Sequence, residues 1–418
     1  MFFRTLLLTS LFLLLLGGAT NAQRLLAGTV TDEATGEPLS YVTIGLRGDP
    51  TRGVMTNEQG KFKLTVTEAL ASDTLVLSFL GYTTVEQPIS QLPEGEVAIE
   101  LTPSAIALTE VVVLSDRGLR AIVLKCFDNI PSLYGSDKHL LEGYFRRYAL
   151  TNDTVSVLKE GFLQVQDVAY LGRRRRYEDR NDVKFWLQHY RQSNDERELT
   201  FFDGGVKSNF IDRQYVFSNL LFQGQLTFHY LQEEYERLNA YDFTDRGTYL
   251  MNGDSIRRIG FALRSEGSSG TVDYHNAGEL LVNLTDYAIL RITVGQGQPD
   301  YALDAIYQKA ANGKYYPQRL HHIFQVTYNE GRSTHRINTL FHFTHVHTDP
   351  AAARRARSGK RLAFDVNPDA KFMKYEPAFW EANPVLLATP LPEALKRDLS
   401  RFEDINAQFK ANARRTKE

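Results

Sequence analysis

What most constrains the fold is the way short stretches with a strand period are punctuated by turn residues along the whole chain. Phe62, Leu64 and Val66 alternate with Lys61, Lys63 and Thr65, the pattern of a strand with one face buried and the other in water. Successive side chains of a strand point to opposite faces, so such a segment needs partner strands and a second layer on its apolar side. The 21 Tyr and 25 Phe favour strands over helices.

Between Leu25 and Leu101 the chain shows strands and turns with no helical period. Leu25–Thr31 reads as a strand, and Asp32-Glu33-Ala34-Thr35-Gly36-Glu37-Pro38 as a turn. Ser40–Leu46 alternates again before Gly48-Asp49-Pro50. Thr56-Asn57-Glu58-Gln59-Gly60 links two strands, with Gly60 supplying a positive φ. Leu75, Leu77 and Phe79 belong to an apolar run ending at Gly81-Tyr82, and Glu96–Leu101 closes the set. About seven strands in ~80 residues predict a small β-sandwich over residues 24–103.

Several blocks in this stretch carry a family resemblance. They are Gly28-Thr29-Val30-Thr31-Asp32, Thr35-Gly36-Glu37-Pro38-Leu39, Val42-Thr43-Ile44, Thr56-Asn57-Glu58-Gln59-Gly60-Lys61-Phe62 and Phe79-Leu80-Gly81-Tyr82. In this order they resemble the carboxypeptidase regulatory-like domain, which implies a prealbumin-like sandwich. Asn57 stands where the family pattern often has Asp. Leu108-Thr109-Glu110-Val111-Val112-Val113 is similar to the linker after this module in envelope proteins of Gram-negative bacteria, TonB-dependent outer-membrane receptors among them. The resemblance implies an accessory module in a cell-envelope protein. It does not imply that the module cleaves anything.

Residues 1–22 read as a secretory signal peptide. Arg4 provides the positive start, Leu6–Leu16 an apolar run interrupted by Thr9 and Ser10, and Thr20 and Ala22 the small residues before a cleavage at Gln23. The run is well short of the roughly 20 residues that span a bilayer. No cysteine follows it, which excludes a lipoprotein anchor. The single cysteine, Cys126, cannot form an intramolecular disulfide or a Cys-rich metal site. The expectation is an exported protein, periplasmic or outer-membrane-associated, with no transmembrane segment after signal cleavage. A net charge of -2 gives no reason to expect nucleic acid as a partner.

A chain of 418 residues suggests about two domains, so after a linker at 104–118 the rest, 119–418, is read as the second. Leu119, Ile122, Val123, Cys126, Phe127 and Ile130 form one helical stripe that Pro131 is expected to end. Cys126 on this stripe reads as a buried core residue. Strands follow: His139–Leu150 and Thr154–Val168 around Thr151-Asn152-Asp153, and Tyr249–Met251 and Ser255–Leu263 around Asn252-Gly253-Asp254. Gly270–Tyr274, Glu279–Leu284 and Tyr287–Val294 continue the pattern. Tyr301–Lys309 and Lys314–Tyr328 flank Asn312-Gly313, and Ser333–His347 returns after Asn329–Arg332. Helices are expected near Gln214–Leu221 and Leu226–Leu238, and over Leu391–Phe409 with a stripe of Leu395, Leu399, Phe402, Ile405 and Phe409.

The predicted fold class is therefore mainly β: a prealbumin-like sandwich, then an α+β domain with a large curved antiparallel sheet packed on a few helices. Strand order and the Gly313-Lys314-Tyr315-Tyr316 type of hairpin resemble the half-barrels of periplasmic lipoprotein carriers. An apolar concave face in such a sheet would suit a lipid-like chain; the plainer outcome is a packed core.

Six of the ten histidines lie between 321 and 347: His321, His322, His335, His342, His345 and His347. A simple hairpin at Asn329–Arg332 pairs Tyr328 with Ser333, His322 with Thr339 and His335 with Val326. Only His345 and His347 then share a face within reach of each other, ~7 Å apart. Two ligands without a third make a weak metal site, so these two are the only metal candidates, and histidines along half-exposed strands are the plainer expectation. The basic runs Arg173-Arg174-Arg175-Arg176 and Arg354, Arg355, Arg357, Lys360, Arg361 read as solvated loops, or as contacts for a phosphate-bearing glycolipid or an acidic partner. H-E-x-x-H, G-x-S-x-G, the P-loop and G-x-G-x-x-G are absent from the sequence. No catalytic residue and no cofactor is assigned. The leading expectation is a non-catalytic envelope binding or scaffold protein whose partner is an envelope protein or a glycan. The alternatives are a carrier or sensor of a lipid-like ligand, and a hydrolase of peptides or glycans assembled only by the fold.

Overall fold

The structure is a computed structural model that describes residues 23–48, 53–57, 59–67, 70–79, 82–103, 113–134, 138–167, 184–194, 238, 241–251, 253–263, 277–295, 301–328, 333–362, 375–383, 391 and 393–414. Outside these lie the expected signal peptide, the Arg173–Arg176 run, the strand at Gly270–Tyr274 and the helices expected near Gln214–Leu221 and before Leu238.

The first seven strands are β1 (Gln23–Asp32), β2 (Thr43–Leu46), β3 (Gly53–Met55), β4 (Lys61–Thr67), β5 (Thr74–Ser78), β6 (Val85–Pro88) and β7 (Glu96–Leu101). They form two sheets, β4-β1-β7 and β3-β2-β5-β6. Alternation decides which side chains fill the space between them: Phe62, Leu64 and Val66 are buried, as are Leu26, Val30, Ile44, Leu75, Leu77 and Ile99. Gly60 takes φ 69°. The Asn57 carboxamide oxygen accepts from the backbone of Gln59 and Lys61, each at 2.9 Å, so this side chain is spent on holding its own turn. At Gly28 a Cβ would stand 2.4 Å from the Val97 carbonyl, which leaves room there for glycine alone.

The second module comprises α1 (Asp116–Leu133), β8 (His139–Thr151), β9 (Thr154–Asp167), β10 (Lys184–Gln192), β11 (Tyr241–Met251), β12 (Asp254–Leu263), β13 (Ala277–Asn283), β14 (Ile289–Val294), β15 (Tyr301–Lys309), β16 (Tyr315–Tyr328), β17 (Ser333–His347), α2 (Pro350–Ala356), β18 (Lys360–Leu362), α3 (Pro377–Ala382), α4 (Glu393–Leu399) and α5 (Ile405–Arg414). Its described strands make one 11-stranded sheet in the order β11-β12-β13-β14-β15-β16-β17-β8-β9-β10-β18. The β8–β9 turn uses Asn152 at φ 49° and Asp153 at φ 61°, the two left-handed positions of a tight hairpin. Between β16 and β17, Tyr328 faces Ser333, His322 faces Thr339 and Val326 faces His335, the register expected from the sequence.

Helix α1 buries Leu119, Val123, Cys126, Phe127 and Ile130 against one face of this sheet. Its first turn is tied to β11, where the Phe243 backbone donates to Asp116 at 2.8 Å. Its far end is tied to β14 through Tyr134, whose hydroxyl accepts from the Ile289 backbone at 2.9 Å. Pro131 does not end α1, which runs on to Leu133. A proline so close to the C-terminus removes a single donor, and the next turn still closes through Tyr134 N donating to the Ile130 carbonyl at 3.0 Å.

The expected C-terminal helix is two helices. The side chain of Asp404 accepts from Asn406 N at 3.0 Å and Ala407 N at 3.1 Å, which starts α5 afresh after α4 has ended. The apolar stripe breaks with it: Leu399 and Phe409 are buried, whereas Phe402 is 76% exposed. Phe402→Ser is accordingly expected to change stability by no more than about 0.5 kcal/mol in a urea titration. Phe409→Ala is expected to cost several times that. The second basic run is likewise no simple loop. Arg354 and Arg355 stand in the last turn of α2, Arg357 lies 5.4 Å over the Trp186 ring, and Lys360 and Arg361 belong to β18.

Candidate functional site

The two faces of the large sheet differ in chemistry because each strand alternates. One face carries Phe145, Leu163, Leu280, Ile292, Leu320 and Phe341, and with α1 these make a continuous apolar core. This is the face that the sequence offers as a seat for a lipid-like chain, and among the described residues it is packed.

The opposite face carries a polar row that crosses the sheet strand by strand. Glu279 pairs with Thr293, Thr293 with Asp304 and Asp304 with His321. Beyond Leu340 the row resumes as Arg146, Glu160 and Arg191. Two ion-pair clusters anchor it. Asp304 is held by Arg291 and Arg319, each at 2.7 Å. Glu160 is held by Arg146 at 2.7 Å and Arg191 at 2.6 Å, and takes a hydrogen bond from the Tyr144 hydroxyl. The C-terminal helices cover the second cluster, with Arg191 4.3 Å over the Trp380 ring and 4.7 Å over the Phe409 ring.

The sandwich sits over the first cluster. Arg319 stacks 4.2 Å over the ring of Tyr41, which the chain presents from a left-handed backbone, φ 65°, unusual for a residue with a side chain. Beside this contact the two modules enclose a cleft of about 420 Å³. Its walls include Leu46, Met55 and Val76 from the sandwich and Ile256, Leu281 and Ile306 from the sheet. Volumes of several hundred Å³ at domain boundaries, apolar with a few polar groups, are the usual form of small-molecule sites. The charges around it are already engaged. Arg47 pairs with Glu86, Arg291 with Asp304, and Lys309 with Asp286 at 3.0 Å. Asp254 accepts from Asn283 at 2.9 Å and from Thr285 at 2.8 Å.

None of the clustered histidines lines this cleft. His345 and His347 do come together, with ring centroids 4.3 Å apart. His347 also lies 3.0 Å from the Glu142 carboxylate, which takes a second hydrogen bond from Gln164 at 2.6 Å. Among the described residues no group of three or more His, Cys, Asp or Glu is placed to hold a metal ion. His322, His335 and His342 are buried, at 3%, 4% and 5% exposure: burial alternates along β17, and His322 and His335 stand on its buried side with Ile337 and Phe341, whereas His342 is buried on the other side. Burial, with the charge of Arg319, depresses the pKa of His321 and of His342 to about 4, so both are neutral near pH 7. Cys126 is a buried core residue, and its burial pushes the thiol pKa up.

Sequence reasoning does not find this cleft, because its walls come from residues 41–79 and 251–318 and no local period joins them. One signal was available. Pro317 interrupts a strand pattern, and a proline inside a sheet is confined to edges and bulges. The β15–β16 register does shift at this point: Ile306 faces Arg319, Tyr307 faces Pro317, and Gln318 is the extra residue.

Residues 26–113 match the model of the CarboxypepD_reg-like domain, the family that the sequence blocks resemble, and the match reaches into the expected linker. No curated protein matches the chain. Among solved structures, a DUF1329 family protein from Desulfovibrio piger is 10% identical, with 57% of this chain and 98% of that one covered and a TM-score of 0.22. A LolA superfamily protein from Nitrosomonas europaea is 9% identical, with 56% and 93% covered and a TM-score of 0.23. The MucA/MucB complex of Pseudomonas aeruginosa matches at 8% identity, with 59% and 99% covered and a TM-score of 0.17. Scores this low carry nothing over to this chain.

Proposed function

We propose that the chain is an exported, non-catalytic binding protein of the cell envelope, in which the sandwich and the large sheet together form one ligand seat. The cleft between them carries this reading: each module supplies one apolar wall, so neither holds the site alone. The chemistry of the walls supports a binding role. Asp254 is a carboxylate of the cleft, and both its oxygens already accept hydrogen bonds, which leaves it poorly placed as a general base. The regulatory-like module and the signal-peptide pattern of residues 1–22 support export and an accessory role.

The test is native mass spectrometry of the protein purified from its host. The wild type is expected to retain a small-molecule adduct. Ile306→Trp on the sheet wall and Val76→Trp on the sandwich wall, each filling the cleft, are expected to lower its occupancy roughly tenfold or more. A wild type without an adduct, or adducts that ignore both substitutions, would sink the reading.

A further inference from the structure

Gln318 is the residue of the cleft whose chemistry is unspent. It is 3% exposed, it lines the cleft, and its amide nitrogen has no hydrogen-bond partner. A buried donor left in this state is disfavoured, so its persistence needs an explanation. Its position has a structural cause. Gln318 is the extra residue of the β15–β16 bulge, and bulges re-aim side chains next to binding sites.

We propose, resting on the cleft as the ligand seat, that the occupant is a neutral acyl ester of lipid type. Its aliphatic chain lies between the sandwich wall and the sheet wall, and its carbonyl oxygen accepts a hydrogen bond from Gln318 Nε2 once the buried amide turns toward the cleft. Three observations select this class. The walls named above are aliphatic, which suits a hydrocarbon body. The cations at the cleft, Arg47, Arg291 and Lys309, are already paired within the protein, so an anionic ligand would be desolvated there without a counterion, and the carboxylate that lines it, Asp254, would repel one. A peptide brings a donor and an acceptor with every residue, whereas an ester brings only acceptors, which matches the spare donor at Gln318. The competing partner for Gln318 is water. The same residue borders a second cavity of about 10 Å³ beside Tyr316 and Pro317, near the smallest volume that holds one water molecule.

Displacement of the fluorescent probe N-phenyl-1-naphthylamine from the purified protein separates these cases, with methyl laurate, dodecane and laurate as competitors. In the wild type, methyl laurate is expected to displace the probe at a concentration about tenfold lower than dodecane, the value of one hydrogen bond to a buried donor. Laurate is expected to be weaker than its methyl ester. In Gln318→Leu the advantage of the ester over the alkane is expected to disappear. That ratio is taken within one variant, so any loss of folded protein cancels from it. Equal displacement by ester and alkane in the wild type would assign Gln318 to the water and overturn the ester, leaving the cleft as a plain apolar seat. Laurate binding as tightly as the ester would overturn neutrality. Probe binding unchanged by Ile306→Trp would overturn both the ester and the cleft.

Discussion

Glu160→Gln is expected to destabilise the second module by about 3–5 kcal/mol, the usual consequence of removing one partner from a buried ion-pair cluster. Glu160 is fully buried between Arg146 and Arg191, and the substitution keeps its volume while leaving two guanidinium charges without their counterion. Burial alone would raise the pKa of this carboxyl. Arg191 and Arg146, with the Tyr144 hydroxyl, outweigh burial and bring it from the ordinary 4.5 down to about 2. A carboxyl whose pKa is lower folded than unfolded stabilises the protein above the unfolded value and loses that contribution as pH falls through the folded one. The wild type is therefore expected to lose about 3 kcal/mol of its advantage over Glu160→Gln between pH 4.5 and pH 2. Denaturant titrations followed by tryptophan fluorescence check this, because both tryptophans, Trp186 on β10 and Trp380 on α3, belong to the second module. A gap between the two proteins that stays constant down to pH 2 would show that the cluster is not held by this charge.

Phe145→Ala is expected to be comparably costly, about 3–5 kcal/mol. The Phe145 ring lies 6.2 Å from Tyr190 and 6.0 Å from Phe341, bridging three strands of the apolar face. Its partner across the β8–β9 ladder is Gly161, and a Cβ there would stand 2.4 Å from the Phe145 ring. The glycine is thus the space that the phenyl group occupies. Removing the ring leaves a void bounded by fixed backbone, and Gly161→Val overfills the same space from the other side. Both substitutions are expected to lower the denaturant midpoint. The pair Phe145→Ala with Gly161→Val is expected to recover part of the loss, since neighbours that share one volume are not additive. A double variant no better than the sum of the singles would rule out this reciprocal packing.

Much of this architecture was legible because it rests on local chemistry. The two left-handed residues Asn152 and Asp153 mark their hairpin, alternation at Phe62, Leu64 and Val66 marks a half-buried strand, and the Leu119–Ile130 stripe marks the face of α1. Register follows once a turn is placed, which is why His322 could be set opposite Thr339. The candidate site was not legible, for a physical reason. Its walls are brought together by docking two modules, and its polar group sits at a bulge, where the period of two fails. The burial of His342 and the pairing of Glu160 depend on layers laid over the sheet by distant segments, and a half-exposed strand and a covered one alternate alike. The helix stripe through Phe402 misled because Asp404 offered the backbone a new start that the apolar spacing does not register.

The split construction of the cleft also makes it a mechanical joint. The apolar core of the sandwich draws on residues 26–101 and that of the large sheet on residues from 119 onward, so each module keeps its own interior when the two part. A pull that separates them works against the contacts between modules, such as Tyr41 on Arg319, and not against either core. Under tension along the chain the two modules are expected to part before either core unfolds, and the proposed seat to open with them.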